Sequence, residues 1–195
     1  MYSIGGNEKN MTVTIRQNPA AKNNQPGLSD HALFRKVMGS FASGITVITT
    51  EADGEIHGMT MSAFMSGSLQ PPLCITSVSR AARTHGYLLK TGHFGVSVLA
   101  RGQERLSAHY GGCPDPQLDP QLEPIGRTRG LAGAAAIIGA DVIARHECGD
   151  HSIFIGQIVE MRANPGVVPL VLHAGRFASL AYTGEADLGP IVEFW

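Results

Sequence analysis

The chain contains 195 residues, of which 43% are hydrophobic and 16% are charged, and its net charge at pH 7 is −1. This composition is typical of one globular domain and excludes an intrinsically disordered chain. It provides no basic surface for a phosphate backbone, so nucleic-acid binding is not expected. The charged share lies below the usual value of about 25%, which favours burial of an additional face in an oligomer.

No segment reaches the roughly 20 consecutive apolar residues that a membrane-spanning helix needs. The first residues, MYSIGGNEKNMTVTIRQ, lack the charged and apolar regions of a secretory signal. The three cysteines, Cys74, Cys113 and Cys148, are few and odd in number, which favours reduced thiols. We therefore expect a cytoplasmic protein without membrane association.

Shifts in composition divide the chain into three segments. Residues 1–28 are polar and show no apolar periodicity, which predicts a flexible N-terminal tail. Residues 29–185 form the predicted folded domain, and residues 186–195 form a C-terminal extension. That extension ends in the only tryptophan, Trp195, which is expected to pack on the domain or across a dimer seam.

The folded domain begins with a predicted helix and a hairpin. Ser29 is a candidate N-cap for a helix whose apolar stripe runs over residues 33–41 and which Gly44 would end. Residues 45–50 are rich in β-branched side chains and predict a strand. Asp53-Gly54 is a hairpin turn signal, and residues 55–61 would return as the partner strand.

The rest of the domain is predominantly strand-like. Further strands are predicted at residues 73–78, 94–99, 134–146, 152–161 and 170–173, helices at 81–90 and 103–110, and a proline-rich loop at 111–124. Six or more antiparallel strands with a few short helices favour a closed barrel with helical covers.

Two segments have the chemistry of a nucleotide site. Residues 58–73 interleave hydroxyls, glycines and apolar side chains. A strand that leaves a sheet there exposes backbone groups that can bond the edge of a flat heteroaromatic ring, although a serine-rich turn is the alternative. Residues 79–84 follow a strand and open a helix, so Arg80, Arg83 and Thr84 could hold a phosphate, or form a solvated helix start.

A third motif is Gly149-Asp150-His151, which places a histidine at the start of an apolar strand. This histidine could contact a ligand or be satisfied by solvent. The types of His146, Cys148 and His151 suit a metal, but their spacing fits no standard zinc pattern, so no metal is expected. Rossmann, P-loop and nucleophile-elbow motifs are not found.

The order of these motifs resembles the short flavin reductases, which are the small reductase components of two-component flavin monooxygenases. The resemblance covers about residues 33–180. It rests on residues 34–50, 58–73 and 94–99, on Gly149-Asp150-His151 with Gly156, and on Pro169-Leu170 with Gly175-Arg176-Phe177.

The resemblance implies a mainly β fold with flanking helices, the FMN-binding split β-barrel, assembled as a homodimer. It implies an NAD(P)H-dependent flavin reductase that binds FMN or FAD and NADH or NADPH. Hydride would pass directly from nicotinamide C4 to flavin N5. The reduced flavin would then be supplied to a partner monooxygenase.

The resemblance also assigns roles to individual residues. His151 is the candidate catalytic residue and would orient the nicotinamide or its ribose. The candidate cofactor-binding residues are Thr60, Met61, Ser62, Ala63, Ser66, Ser68, Ser79, Arg80, Arg83, Thr84, Ser97 and His151.

Two other functions remain open from the sequence. One is a split-barrel flavoprotein that retains its flavin and reduces another acceptor, such as a corrinoid, a metal complex or a quinone. The other is a non-catalytic module that binds flavin or haem.

Overall fold

A computed structural model describes residues 31–180, and this part of the chain is mainly β. Its helices are α1 (His31–Met38), α2 (Arg83–Thr91) and α3 (Glu104–Tyr110). Its strands are β1 (Ser43–Gly44), β2 (Thr46–Ala52), β3 (Glu55–Met61), β4 (Phe64–Leu69), β5 (Pro72–Ser79), β6 (His93–Val98), β7 (Leu122–Ile125), β8 (Thr128–Leu131), β9 (Ala136–Cys148), β10 (His151–Ala163), β11 (Val171–His173) and β12 (Arg176–Ala178).

The main sheet has seven strands in the order β3-β2-β6-β9-β10-β5-β4. Its two edge strands, β3 and β4, are consecutive in the chain and are joined only by Ser62 and Ala63. So short a link forces the sheet to curl until its edges approach. Two bonds show the approach: Thr76 on β5 donates its hydroxyl to the Ala63 carbonyl at 3.1 Å and lies 2.8 Å from the Met61 sulfur.

The interior of the curled sheet is filled by large apolar side chains. Phe94 and Phe154 are almost fully buried and pack with Ile48, Val96 and Leu88. A Cβ at Gly156 would lie 2.6 Å from the Phe94 ring, so the ring occupies the space that a side chain there would need. A second core cluster joins Ile45, Val47, Leu99, Leu131 and Leu170.

The predicted hairpin is confirmed. Asp53 and Gly54 both have positive φ angles, 56° and 81°, as the tight turn between β2 and β3 requires. Lys90 of α2 donates to both Asp53 carboxylate oxygens, at 2.7 and 2.8 Å, and this bond holds the pKa of Asp53 below its ordinary value. The pair ties α2 to the hairpin turn.

Most predicted strands and helices are found with shifted ends. Helix α2 begins at Arg83 rather than residue 81, because a turn over residues 79–82 precedes it. The hairpin of β7 and β8 was missed, and β7 begins within the predicted loop. The signal for it was Gly126, which has a positive φ in the connecting turn.

The prediction for the first helix was partly wrong. Helix α1 ends at Met38, and Gly44 lies in β1, where it pairs with Val171. The apolar stripe is exposed: Phe34 retains 62% and Phe41 78% of the accessible surface. Three predictions lie outside the described residues: the tail of residues 1–28, the N-cap at Ser29, and the C-terminal extension of residues 186–195 with Trp195.

The cysteines form no disulfide. Cys74 is buried, and burial raises the pKa of its thiol to about 11, whereas Cys113 and Cys148 are exposed. Among the helices of residues 31–180, none has the length and apolar character that crossing a membrane demands.

Candidate functional site

A surface trough follows β3 and consists of three adjoining clefts. The proximal cleft, of about 360 Å³, is lined by Ile45, Thr60, Met61, Ser62, Leu172 and Phe177 among others. The central cleft, of about 350 Å³, is lined by Gly58, Thr60, Arg83, Thr84, Tyr110 and Gly111 among others. The distal cleft, of about 450 Å³, is lined by His57, Gly58, Arg83, Tyr87, His109 and Tyr110 among others. The central cleft shares Thr60 and Gly111 with the proximal cleft, and Gly58, Arg83, Thr84, Tyr110 and Gly112 with the distal cleft. The three clefts therefore adjoin in this order, and each has the size of a small-molecule site.

The floor of the trough is the edge strand β3. It pairs with β2 alone among the described strands, so the backbone groups on its outer side remain available to a ligand. The Thr60 hydroxyl donates to the Ser107 carbonyl of α3 at 2.7 Å. A Cβ at Gly58 would lie 2.5 Å from the Tyr110 ring. Glycine at this position therefore lets α3 approach β3 and form one wall.

The opposite wall is the start of α2. Ala82 occupies the N-cap position and provides no side-chain cap. The His85 amide donates to the Ala82 carbonyl at 3.0 Å, so it is the amides of Arg83 and Thr84 that face outward without the usual side-chain cap. Arg83 is exposed, Thr84 is buried, and both line the central and distal clefts. An uncapped helix start beside a guanidinium suits a phosphate group.

Five of the predicted binding residues meet in the trough. Thr60, Met61 and Ser62 line the proximal cleft, and Arg83 and Thr84 line the central one. Beside them, the Ala63 carbonyl accepts bonds from Thr76 and Ser77. The trough therefore joins the two sequence segments that were predicted to form a nucleotide site.

Three other predicted residues form a separate group at the β5–β10 end. Ser79 pairs with His151 in the sheet, and Arg80 donates its guanidinium to the Gly149 carbonyl at 2.7 Å. His151 Nδ1 lies 2.7 Å from the Asp150 carboxylate, and the bond lowers the pKa of Asp150. Within the described chain this group does not line the trough, so a role for His151 stays a prediction.

The remaining predicted residues lie elsewhere. Ser66 and Ser68 are on β4, at the other edge of the sheet, and Ser68 Oγ accepts the Gln70 amide at 3.2 Å. Ser97 is fully buried in β6, and its Oγ accepts the Leu131 amide at 2.8 Å. Ser97 therefore lies outside the trough in this structure, with its hydroxyl enclosed by protein, and a flavin contact for it stays a prediction.

The alternative metal ligands do not converge. Across residues 31–180, no group of three or more His, Cys, Asp and Glu side chains is placed to hold an ion. His151 faces Cys148 across the β9–β10 hairpin, whereas His146 pairs with Ile153 further along it.

Several trough residues were not singled out from the sequence. They are His57, Tyr87, Ser107, His109 and Tyr110. Tyr110 ends the predicted helix 103–110, but nothing in the local pattern indicates that its ring packs on Gly58. Partial burial raises the pKa of the Tyr110 phenol, so its hydroxyl stays protonated at neutral pH and can donate a hydrogen bond.

Comparison with known proteins identifies the family. Residues 38–181 match the flavin reductase like domain. An NADH-dependent flavin reductase from Rhodococcus sp. is 38% identical over 160 residues, which is 79% of this chain and 89% of that protein. The reductase component of 4-hydroxyphenylacetate 3-monooxygenase from Thermus thermophilus is 38% identical over 149 residues, 76% of this chain and 96% of that protein.

A solved structure gives the same result. Flavin reductase PheA2 in its native state superposes with a TM-score of 0.76 at 36% identity, covering 78% of this chain and 99% of that chain. The chain therefore belongs to the flavin reductase like family, and the family inferred from the order of the motifs is confirmed.

Proposed function

We propose that this chain is an NAD(P)H-dependent flavin reductase. The observation that carries the proposal is the trough itself, where an unpaired strand edge faces one wall that begins with Arg83 and an uncapped helix start. Membership of the family and the named activity of the Rhodococcus relative support this class of reaction. NADH is the nicotinamide nucleotide that the name of this relative specifies.

The residues of the trough fit a flavin nucleotide. The proximal cleft combines apolar side chains, Ile45, Leu172 and Phe177, with the hydroxyls of Thr60 and Ser62. Such a lining suits the isoalloxazine ring, which is flat, largely apolar and polar along its edge. The phosphate would lie in the central cleft, where Arg83 and the first amides of α2 can bind it.

The bound nucleotides supply the redox chemistry, since a hydride passes from nicotinamide C4 to flavin N5. The chain has to align the two rings and exclude water, and the step needs no acid–base pair from the protein. Ser62 would orient the ring edge, and Arg83 would hold the phosphate. Thr60 would act only as an acceptor, because its hydroxyl hydrogen is donated to the Ser107 carbonyl. His151 is proposed to orient the nicotinamide, as a binding group and not as a proton donor.

The reduced flavin is proposed to serve a separate monooxygenase. The Thermus relative is named as the reductase component of such a system. The trough also agrees with exchange of the flavin, because its clefts are open at the surface and include the exposed residues Ser62, Arg83 and Gly112.

The curled sheet supports a split β-barrel, and the exposed apolar side chains on α1 and directly after it support a homodimer. Phe34, Val37 and Phe41 expose 62%, 61% and 78% of their surface, and contiguous apolar exposure is typical of an interface. A groove beside α1 shares Ser62 and Leu172 with the proximal cleft. A partner subunit that covers α1 would therefore lie next to the flavin ring.

Flavin-dependent oxidation of NADH is the direct test of the proposed function. Purified protein is mixed with NADH and with FMN, FAD or no flavin, and absorbance is followed at 340 nm. We expect oxidation that depends on added flavin and saturates hyperbolically. Failure with both flavins and with both NADH and NADPH would contradict the proposal. A yellow protein that keeps its flavin through gel filtration would instead favour a flavoprotein with another acceptor.

Charged substitutions on α1 and in the segment directly after it are expected to break the proposed homodimer. In the double variant Phe34→Asp, Phe41→Asp the partner would have to bury two unpaired carboxylates, a cost that exceeds the gain from apolar contact. The measurement is molar mass in solution by light scattering after gel filtration. Leu89→Asp, at a half-exposed position on α2, is the control and should leave the mass unchanged. An unchanged dimer in the double variant would exclude α1 from the interface.

A further inference from the structure

Two aromatic rings form a flat stack in the distal cleft. The His57 imidazole on β3 and the Tyr87 ring on α2 have centroids 3.6 Å apart and planes that differ by 7°. Both rings line the cleft of about 450 Å³. The distal cleft lies beyond the residues Thr60, Met61 and Ser62, none of which lines it. It is therefore additional space beside the proposed flavin-ring site.

The stack is held in place before any ligand binds. Lys90, one helical turn after Tyr87, bonds both carboxylate oxygens of Asp53 in the turn that leads into β3. Thr91 Oγ1 lies 2.8 Å from Thr50 Oγ1 and donates to the Tyr87 carbonyl at 3.0 Å. The bonds from Lys90 and Thr91 connect the C-terminal end of α2 to the β2–β3 hairpin, one helical turn after Tyr87. A preformed aromatic surface loses little conformational freedom when a ligand binds.

The stack and the phosphate-binding wall lie on one face of α2. Arg83 and Tyr87 are four residues apart, so their side chains are neighbours on the helix surface. Arg83 lines both the central and the distal cleft. A ligand that passes along the trough from Thr60 therefore meets a hydroxyl-lined strand edge, then a guanidinium, and then the two stacked rings. This is the order of chemical groups in a dinucleotide: ring, phosphates, base.

We propose that His57 and Tyr87 form an adenine subsite, with Arg83 at the adjoining diphosphate, and that the chain therefore binds FAD more tightly than FMN. This inference rests on the proposed function and specifies which flavin that site takes. An adenosine diphosphate group is also present in NADH. FAD is favoured because the distal cleft shares Arg83 and Thr84 with the central cleft, where the flavin phosphate would lie. An adenosine group attached to that phosphate would therefore lie next to the ring pair.

The test measures flavin affinity without NADH, from the change in flavin fluorescence on titration with the protein. For Tyr87→Ala we expect the Kd for FAD to rise at least about fivefold, since stacking of one base on an aromatic ring is worth that much or more. The Kd for FMN should change less than about twofold, because FMN has no base to stack. Tyr87→Phe should retain the FAD affinity, because its ring can still stack on the base.

Leu89→Ala is the matched control, because Leu89 is half-exposed on the same helix and lines none of the three clefts. Equal changes in the Kd for FMN and FAD in Tyr87→Ala would overturn the adenine subsite, as would a variant in which only the KM for NADH rises. Wild-type protein that binds neither flavin would overturn the proposed function and this inference together. Wild-type protein that binds both flavins equally, with no response to Tyr87→Ala, would overturn this inference alone.

Discussion

Replacing Arg83 with alanine is expected to raise the Kd for flavin by about 10- to 50-fold. A hydrogen bond to a charged group contributes about 1.5–3 kcal/mol net, and each 1.4 kcal/mol is a factor of ten in affinity. The lower part of that range applies, because Arg83 is solvent-exposed and solvent screens its charge. The affinity of the wild-type protein should fall as salt is added, and that of Arg83→Ala should fall less. Titration of flavin fluorescence at two ionic strengths measures both effects.

The flavin Kd of Arg80→Ala is the informative comparison for that of Arg83→Ala. The sequence alone treats Arg80 and Arg83 as equivalent phosphate ligands, but the structure commits the Arg80 guanidinium to the Gly149 carbonyl. We expect Arg80→Ala to change the flavin Kd much less than Arg83→Ala does. Arg101→Ala, at an exposed position outside the clefts, controls for the loss of one positive charge. Equal effects of all three variants would show that only net charge matters and would remove Arg83 from the site.

A side chain at position 58 is expected to disrupt the trough and destabilise the fold. A Cβ there would lie 2.5 and 2.6 Å from two atoms of the Tyr110 ring, so Gly58→Ala must displace the ring or α3. Overpacking of this kind costs about 1–3 kcal/mol. Movement of α3 would also strain the bond from Thr60 to the Ser107 carbonyl. Thermal unfolding and flavin titration should therefore both show a loss, and Gly58→Val should be more severe.

Gly86→Ala is the matched control, since no atom lies within 4 Å of a Cβ at that position in α2. An alanine in a helix should leave the stability unchanged or raise it by about 0.5–1 kcal/mol. The double variant Gly58→Ala, Tyr110→Ala should lose less stability than the sum of the single variants, because the second change removes the clash. Strict additivity would contradict the packing of Tyr110 on Gly58 as the reason for glycine.

Much of the fold follows from local patterns. Strands β2, β6, β9 and β10 contain β-branched or alternating apolar residues, and local chemistry of this kind decides strand formation. The Asp53-Gly54 turn is equally local, because few dipeptides tolerate two positive φ angles. The short hairpin of β7 and β8 was missed, since each strand has four residues and a proline-rich segment precedes them.

The candidate site was predictable only in part. Residues 58–73 and 79–84 were recognised as segments with nucleotide chemistry, and Thr60, Met61, Ser62, Arg83 and Thr84 from them do meet in the trough. Ser97, which the resemblance assigned to the flavin site, lies outside the trough, and the local sequence does not reveal which side of a strand another strand covers. Its hydroxyl faces β8, a strand far away in the sequence, and bonds Leu131 there.

The sequence by itself determined the family, the dominance of β-structure and the segments that carry polar chemistry, because these depend on residue types and spacings within short stretches. Only the tertiary structure decided which of those residues share a surface. It placed Tyr110 of α3 against Gly58 of β3, and Tyr87 of α2 against His57. It also left the apolar face of α1 exposed in the single chain. The physical reason is that these contacts join residues distant in the sequence, and they form only when the curled sheet brings α2 and α3 to the two sides of its edge strand.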